Sequence, residues 1–258
     1  MESIALTALA NASRDDRKAF LTAHWSSLLM LNYEIDPARL HSRLPTGCEI
    51  DLFERRCFIS VVGFMFTDTR LHGFKIPLHG RFEEVTLRFY VRCKADRQWQ
   101  RGVVFIKELV PKAAVVAVGR ALYNENYHAT KMRHELPENG VSRAAGERIA
   151  YYWRHDGYWN ELSGVVADRA IVPEVGTERW FMTGHDCGYV RTASRTTLEY
   201  QVEHIPWAVA PVENAKLSCT TGRLYGEEFA DVLNGPPSSA FAAVGSDVAV
   251  FPARTVTG

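Results

Sequence analysis

Three segments concentrate the side chains able to move protons or hold a polar ligand. The first is Phe82-Glu83-Glu84-Val85-Thr86-Leu87-Arg88-Phe89-Tyr90-Val91. Read as a strand, its period of two puts Val85, Leu87, Phe89 and Val91 on one face with Glu83, and Glu84, Thr86, Arg88 and Tyr90 on the other. The second face either meets solvent or lines a barrel cavity where polar groups converge on a ligand. Four residues of strand separate the Cα atoms of Glu84 and Arg88 by about 13 Å, so the two would bracket something rather than pair. The second segment, Tyr123-Asn124-Glu125-Asn126-Tyr127-His128-Ala129-Thr130-Lys131, packs hydrogen-bonding groups around two tyrosines. It reads either as a site held against a rigid scaffold or as a plain polar turn. The third is Leu198 to Trp207, where His204 shares parity with Leu198, Tyr200 and Val202 and should point inward, as a satisfied core residue or as an acid, base or ligand contact.

These residues suit general acid-base chemistry. Glu84 or His128 would act as acid or base on a carbonyl, enol or hydrated substrate, with Tyr127 or Arg88 stabilising an oxyanion. Tyr123, Glu125, Asn126 and His204 would join Arg88 in binding it. Metal binding is not indicated: His185 and Asp186 could join His204, but no H-E-x-x-H or similar spacing is present. Dinucleotide, P-loop and serine-hydrolase motifs are absent as well, so no cofactor is expected. A Schiff base needs a lysine kept neutral by burial or a neighbouring cation. Of the seven lysines, Lys131, near Arg133 and His134, and Lys107, inside a strand, qualify best.

The elements that must position these groups are mostly strands. Alternation marks Phe58 to Phe66, Phe82 to Val91, Gly102 to Val110, Arg148 to Trp153 and Thr196 to His204. Helical signals cover Asp36 to Leu44, with Asp36 as N-cap and Pro37 in the first turn, Lys112 to Leu122, and Tyr225 to Leu233. The reading is one antiparallel-rich α+β domain over 20–235, a loose leader over 1–19 and a strand pair or tail over 236–258. With 30 Lys plus Arg against 30 Asp plus Glu, the chain shows no basic excess of the kind nucleic acid demands. No apolar run is long enough for a membrane span, and Glu2 stands where a signal peptide would be basic. Five cysteines without a C-x-x-C pair suggest reduced thiols and a cytoplasmic location.

Taken in order, Asn32-Tyr33-Glu34-Ile35-Asp36-Pro37 through Leu44-Pro45, Phe82 to Val91, Tyr123 to Tyr127 and His204-Ile205-Pro206-Trp207 resemble the YqjF-like family, domain-of-unknown-function family 2071, over roughly Phe20 to Ala210. That family is placed in the acetoacetate decarboxylase-like superfamily. The resemblance implies a curved, largely antiparallel β barrel or cone with a few peripheral helices and a small-molecule cavity, and makes a homo-oligomer plausible. The decarboxylases carry an arginine where Glu34 stands, so the charge that helps hold a substrate carboxylate is reversed here. Their lysine pair, laid without gaps along Gly119 to Asn126, falls on Tyr127 and His128. Their acidic cavity residue corresponds to Glu84. The expected function is binding of a small organic molecule, a carbonyl compound among the candidates, with lyase-like or hydrolase-like acid-base chemistry if the protein is an enzyme. The alternatives are a non-catalytic binding or sensing protein and a Schiff-base decarboxylase or aldolase using Lys131.

Overall fold

The computed structural model describes residues 18–95, 98–138 and 140–256. The leader expected over 1–19 lies, apart from residues 18 and 19, outside them. The architecture begins with β1 (Leu21–Glu34), buried on both faces from Ser27 to Tyr33. After β2 (Cys48–Ile50), an antiparallel meander follows in β3 (Phe58–Leu71), β5 (Phe82–Ala95) and β6 (Gln98–Val110), with β4 (Phe74–Lys75) hairpinned onto β3. Next come β7 (Tyr127–Ala129), which lies parallel to β6, and the antiparallel run β8 (Met132–Glu135), β9 (Arg148–His155) and β10 (Tyr158–Val166). The chain finishes with β11 (Cys187–Arg191), β12 (Thr197–His204), β13 (Val209–Ser218), β14 (Ser239–Val250) and β15 (Arg254–Thr255).

All of these strands belong to one sheet, whose main path runs β15-β12-β11-β6-β5-β3-β1-β14-β13-β10-β9-β8, with β2, β4 and β7 paired onto β5, β3 and β6 beside it. The sheet curves until β12 also pairs with β14, Val202 to His204 facing Val250 to Val248. A curved sheet separates its two faces into distinct environments. On the outer face Leu29, Leu31, Val61, Leu87 and Phe89 pack against Tyr151, Trp153 and Leu162 of β9 and β10. On the inner face Met30, Phe64, Phe82 and Tyr90 meet Phe181 and Trp207. Burial on both sides explains why β1 reads as a continuous apolar run instead of an alternation.

The helices are short. Asp36 caps a 3-10 segment, Pro37–Arg43, by accepting from Ala38 N at 2.9 Å. The helix expected over Lys112 to Leu122 is α1 (Ala113–Val118) followed by one wide turn, Gly119–Tyr123. The one expected over Tyr225 to Leu233 is divided at Gly226, whose φ of 123° is closed to helical residues, into α3 (Thr221–Tyr225), a 3-10 turn and α4 (Ala230–Leu233). The apolar stretch before β11 supplies a further helix, α2 (Glu178–Thr183), capped by Thr177. None of the helices is long and apolar enough to cross a membrane.

The expectation of uniformly reduced thiols is corrected. Cys48 and Cys93 face each other across the β2–β5 pairing and are joined by a disulfide, while Cys57, Cys187 and Cys219 are free. Sequence spacing of 45 residues hides a neighbour that strand register makes adjacent.

Candidate functional site

Inside the curve of the sheet lies a cavity of about 180 Å³. An apolar cavity near 150 Å³ takes a molecule the size of benzene, so this one suits a single small organic ligand. Most of its wall is apolar, with Trp25, Phe64, Phe66, Phe82, Phe105 and Trp207 among the lining residues. Against that wall stand three carboxyls, Glu84, Glu108 and Glu125, and the hydroxyls of Tyr127 and Tyr200.

Each carboxyl arrives by a different local device. Glu84 comes from β5, whose polar face of Glu84, Thr86, Arg88 and Tyr90 turns inward and is buried or nearly so. Glu108 comes from β6. Simple alternation would place it with Val104 and Ile106 on the outer face, but a bulge between the pairs Leu87/Lys107 and Arg88/Phe105 inserts one residue. Glu108 is therefore opposite Thr86, and the two share the inner face with Phe105 and Val103. Glu125 follows Asn124, which ends the wide turn in the left-handed region at φ 55°, a conformation Asn adopts readily. The next residues alternate: Glu125 and Tyr127 enter the cavity, while Asn126 and His128 turn away from it. Asn126 Nδ2 donates to Ile106 O at 2.7 Å and its Oδ1 meets His128 Nε2 at 2.9 Å, stitching the loop to β6.

Burial dominates the electrostatics. It pushes Glu84 and Glu125 up to about 8, against hydrogen bonds that pull the other way: Tyr127 OH donates to both Glu84 oxygens at 3.3 and 3.4 Å, and Tyr200 OH to Glu125 Oε1 at 2.8 Å. Burial, then the charges of Glu125 and Glu84, raises Glu108 well above the ordinary carboxylate range. Buried carboxyls that also repel one another cannot all ionise, so the cluster carries protons at neutral pH. Glu108 Oε2 has no hydrogen-bond partner among the described residues. Among the described residues no three His, Cys, Asp or Glu side chains are grouped so as to hold a metal ion.

Further along β5, Arg88 donates to Met182 O at 3.2 Å while its Nε is buried without a partner among the described residues. His185, also in the lining, places Nε2 3.4 Å from Asp51 Oδ2, an atom that Arg101 Nε meets at 2.6 Å. Burial would raise Asp51, but hydrogen bonds from His185 and Arg101 hold it below its ordinary value. Burial pushes His185 down to about 4, so its ring is neutral.

Of the residues singled out by sequence, the cavity brings together Glu84, Arg88, Tyr123, Glu125, Tyr127 and His204. Tyr123 packs edge-on against Tyr200, and His204 stacks at 4.2 Å on Trp207 near Val202 and Val250. His128, Asn126 and Lys131 are not in the lining. His128 is held by Asn126, and Lys131 lies exposed between β7 and β8. Lys107, opposite Leu87, turns to the outer face, where its Nζ donates to Leu224 O. Glu34 is exposed at the end of β1, away from the cavity. The alternation-based reading missed Glu108 as a site residue. An isolated acidic residue in a strand as apolar as β6 was its available signal.

Residues 22–247 match the family model DUF2071, described as an uncharacterized conserved protein. The chain belongs to this family. Among curated proteins the DUF2071 chain resembles the uncharacterized protein YqjF of Bacillus subtilis (strain 168), at 25% identity over 218 residues, covering 82% of this chain and 83% of that one. Among solved structures it matches acetoacetate decarboxylase from Legionella pneumophila subsp. pneumophila str. Philadelphia 1 with a TM-score of 0.66 at 13% identity, covering 96% and 92% of the two chains. The enduracididine biosynthesis enzyme MppR, complexed with pyruvate, matches with a TM-score of 0.66 at 12% identity over 95% and 93%. An acetoacetate decarboxylase-like enzyme from Sphingomonas wittichii RW1 gives 0.63 at 16% identity over 93% and 94%. The fold of this DUF2071 protein is thus the strand-rich acetoacetate decarboxylase-like fold.

Proposed function

We propose that the protein binds a small carbonyl compound in the cavity and exchanges a proton with it by general acid-base chemistry, without a covalent amine intermediate. The observation that carries this reading is the convergence of Glu84, Glu108 and Glu125 on one largely apolar cavity that no lysine lines. A cluster of carboxyls that cannot all ionise holds proton donors and, once one proton leaves, a base beside them. A carboxylate takes the proton on the carbon next to the carbonyl. The electron pair of that C–H bond becomes the C=C bond of the enol, and a neighbouring carboxyl, Glu84 or Glu125, delivers its proton to the carbonyl oxygen. Tyr127 and Tyr200 hold the two acids in place. The apolar wall excludes water and strengthens each of these interactions.

The test is a panel of small ketones, aldehydes and 2-oxo acids incubated in D2O and followed by proton NMR. Enzyme-dependent loss of the α-proton signal is expected, falling by about a hundredfold or more in Glu84→Gln and Glu125→Gln, the ordinary yield of a positioned acid or base. Borohydride added to the same mixtures should leave the protein mass unchanged. A lysine adduct, or exchange indifferent to both substitutions, overturns the reading. Saturable binding with no exchange in any member of the panel makes the cavity a sequestering site.

A further inference from the structure

The cavity wall around Arg88 and His185 lies apart from the acids along β5, since about 13 Å of strand separates the Cα atoms of Glu84 and Arg88. Two polar atoms remain without partners there. Arg88 Nε and His185 Nδ1 are both buried, both belong to cavity-lining residues, and neither has a hydrogen-bond partner among the described residues. Both side chains flank Tyr90, the guanidinium carbon 5.7 Å and the imidazole centroid 4.8 Å from its ring centroid. Buried polar atoms left open in this way cost stability unless a partner reaches them.

Their hydrogen-bonding roles are fixed by what stands behind them. A guanidinium N–H can only donate. Asp51, which also receives Arg101, is an ionised acceptor, so the proton between it and His185 sits on the histidine Nε2. The neutral ring then presents its lone pair at Nδ1. One donor and one acceptor thus belong to residues that line the same cavity.

We propose that this part of the cavity is a binding subsite for an uncharged group carrying a hydrogen-bond acceptor beside a donor, a carboxamide above all, with Arg88 Nε–H on its oxygen and His185 Nδ1 receiving its N–H. The inference rests on the reading that the cavity takes a small carbonyl compound, and it names the group at that compound's other end. A carboxylate would satisfy Arg88 but set its second oxygen against the lone pair of His185. A simple ketone would leave His185 unpaired.

Acetoacetamide and acetoacetate share a skeleton and differ only in this group, so isothermal titration of both at pH 7 tests the subsite. Acetoacetamide should bind at least about tenfold more tightly, the scale set by one buried polar atom left unsatisfied. In His185→Ala the preference should fall to within about twofold. Because that variant opens space in a packed wall, nitrogen-15 NMR of the histidine ring in the unaltered protein gives an independent reading, with Nε2 protonated and Nδ1 bare. Equal or reversed preference, failure of both compounds to bind saturably, or a protonated Nδ1 overturns the proposal. Selective amide binding without deuterium exchange sinks the catalytic reading alone. Exchange of acetoacetate with no preference for the amide sinks the subsite alone.

Discussion

At the scale of single residues, the acid cluster makes stability depend on pH in a direction opposite to that of most carboxylates. Glu84 and Glu125 are raised from 4.5 to about 8 in the folded chain. Between those values the folded state holds protons that the unfolded chain has lost. Their contribution is therefore full below about pH 4.5, declines as pH rises, and is gone above about 8. Glutamine cannot ionise, so the double variant Glu84→Gln, Glu125→Gln lacks this slope. Urea unfolding of both proteins from pH 5 to 8.5 should show the wild type losing on the order of a few kcal/mol relative to the variant. Parallel pH profiles would show that these carboxyls do not hold protons in the fold. Glu84 was legible from the sequence because its strand alternates cleanly, and Glu125 because its loop is dense in polar groups. Glu108 was not, since nothing in Gly102 to Val110 announces the bulge that turns it inward. His128 and Lys131 looked suitable by type, yet the direction of His128 is set by backbone pairing of β7 with β6 that side-chain chemistry does not encode, and Lys131 lies exposed beyond that pairing.

At the scale of elements, the two tyrosines that hold the acids are seated on glycines. A Cβ on Gly188 of β11 would overlap the Tyr200 ring, and one on Gly119, at the junction of α1 and the wide turn, would overlap the Tyr127 ring. Gly119 has a helical φ of −61°, where alanine ordinarily gains about 0.5–1 kcal/mol. Here crowding should reverse that gain. Gly188→Ala and Gly119→Ala are each expected to destabilise by about 1–3 kcal/mol. Displacement of Tyr200 should also remove the hydrogen bond that restrains Glu125, raising its pKa further. Gly80→Ala, with nothing near its added Cβ, should change stability by less than about 0.5 kcal/mol. Chemical denaturation of the three variants checks the contrast, and equal effects at all three sites would refute it. The strands containing alternation were readable for the same reason that these glycines were not: alternation reports a chain's own two faces, whereas a glycine under a ring reports a partner from another element. β1 escaped notice because burial on both faces removes the alternation, and its bulge between Ser26 and Leu29 breaks what remains.

At the scale of the molecule, the question is whether the two arms of the sheet fold as one unit. The arm of β8, β9, β10 and β13 meets the arm of β3, β5, β6 and β11 through β1, β14 and β12. β14 is the hinge of this arrangement: it pairs with β1 from Leu21 through Asn32, with β13 at Val209 to Pro211, and with β12 at Val202 to His204. A sequence reading that leaves residues beyond 235 as a strand pair or tail cannot assign that role, because pairing partners over 200 positions distant leave no local trace. Phe241 lies near the start of β14, 1% exposed, opposite Met30 on one side and Pro211 on the other. If β14 couples the arms, Phe241→Ala should lower the stability of the whole protein by about 3–5 kcal/mol, the cost of emptying a buried aromatic site. It should do so without splitting the transition, because every strand loses its support together. Calorimetry combined with near- and far-ultraviolet circular dichroism tests this, with one coincident transition expected in both proteins. Separate melting of secondary structure and aromatic packing in the variant would instead mean that the arms fold independently and that the cavity, whose wall takes no residue from β8, β9, β10 or β13, owes its shape to pairing within the other arm alone.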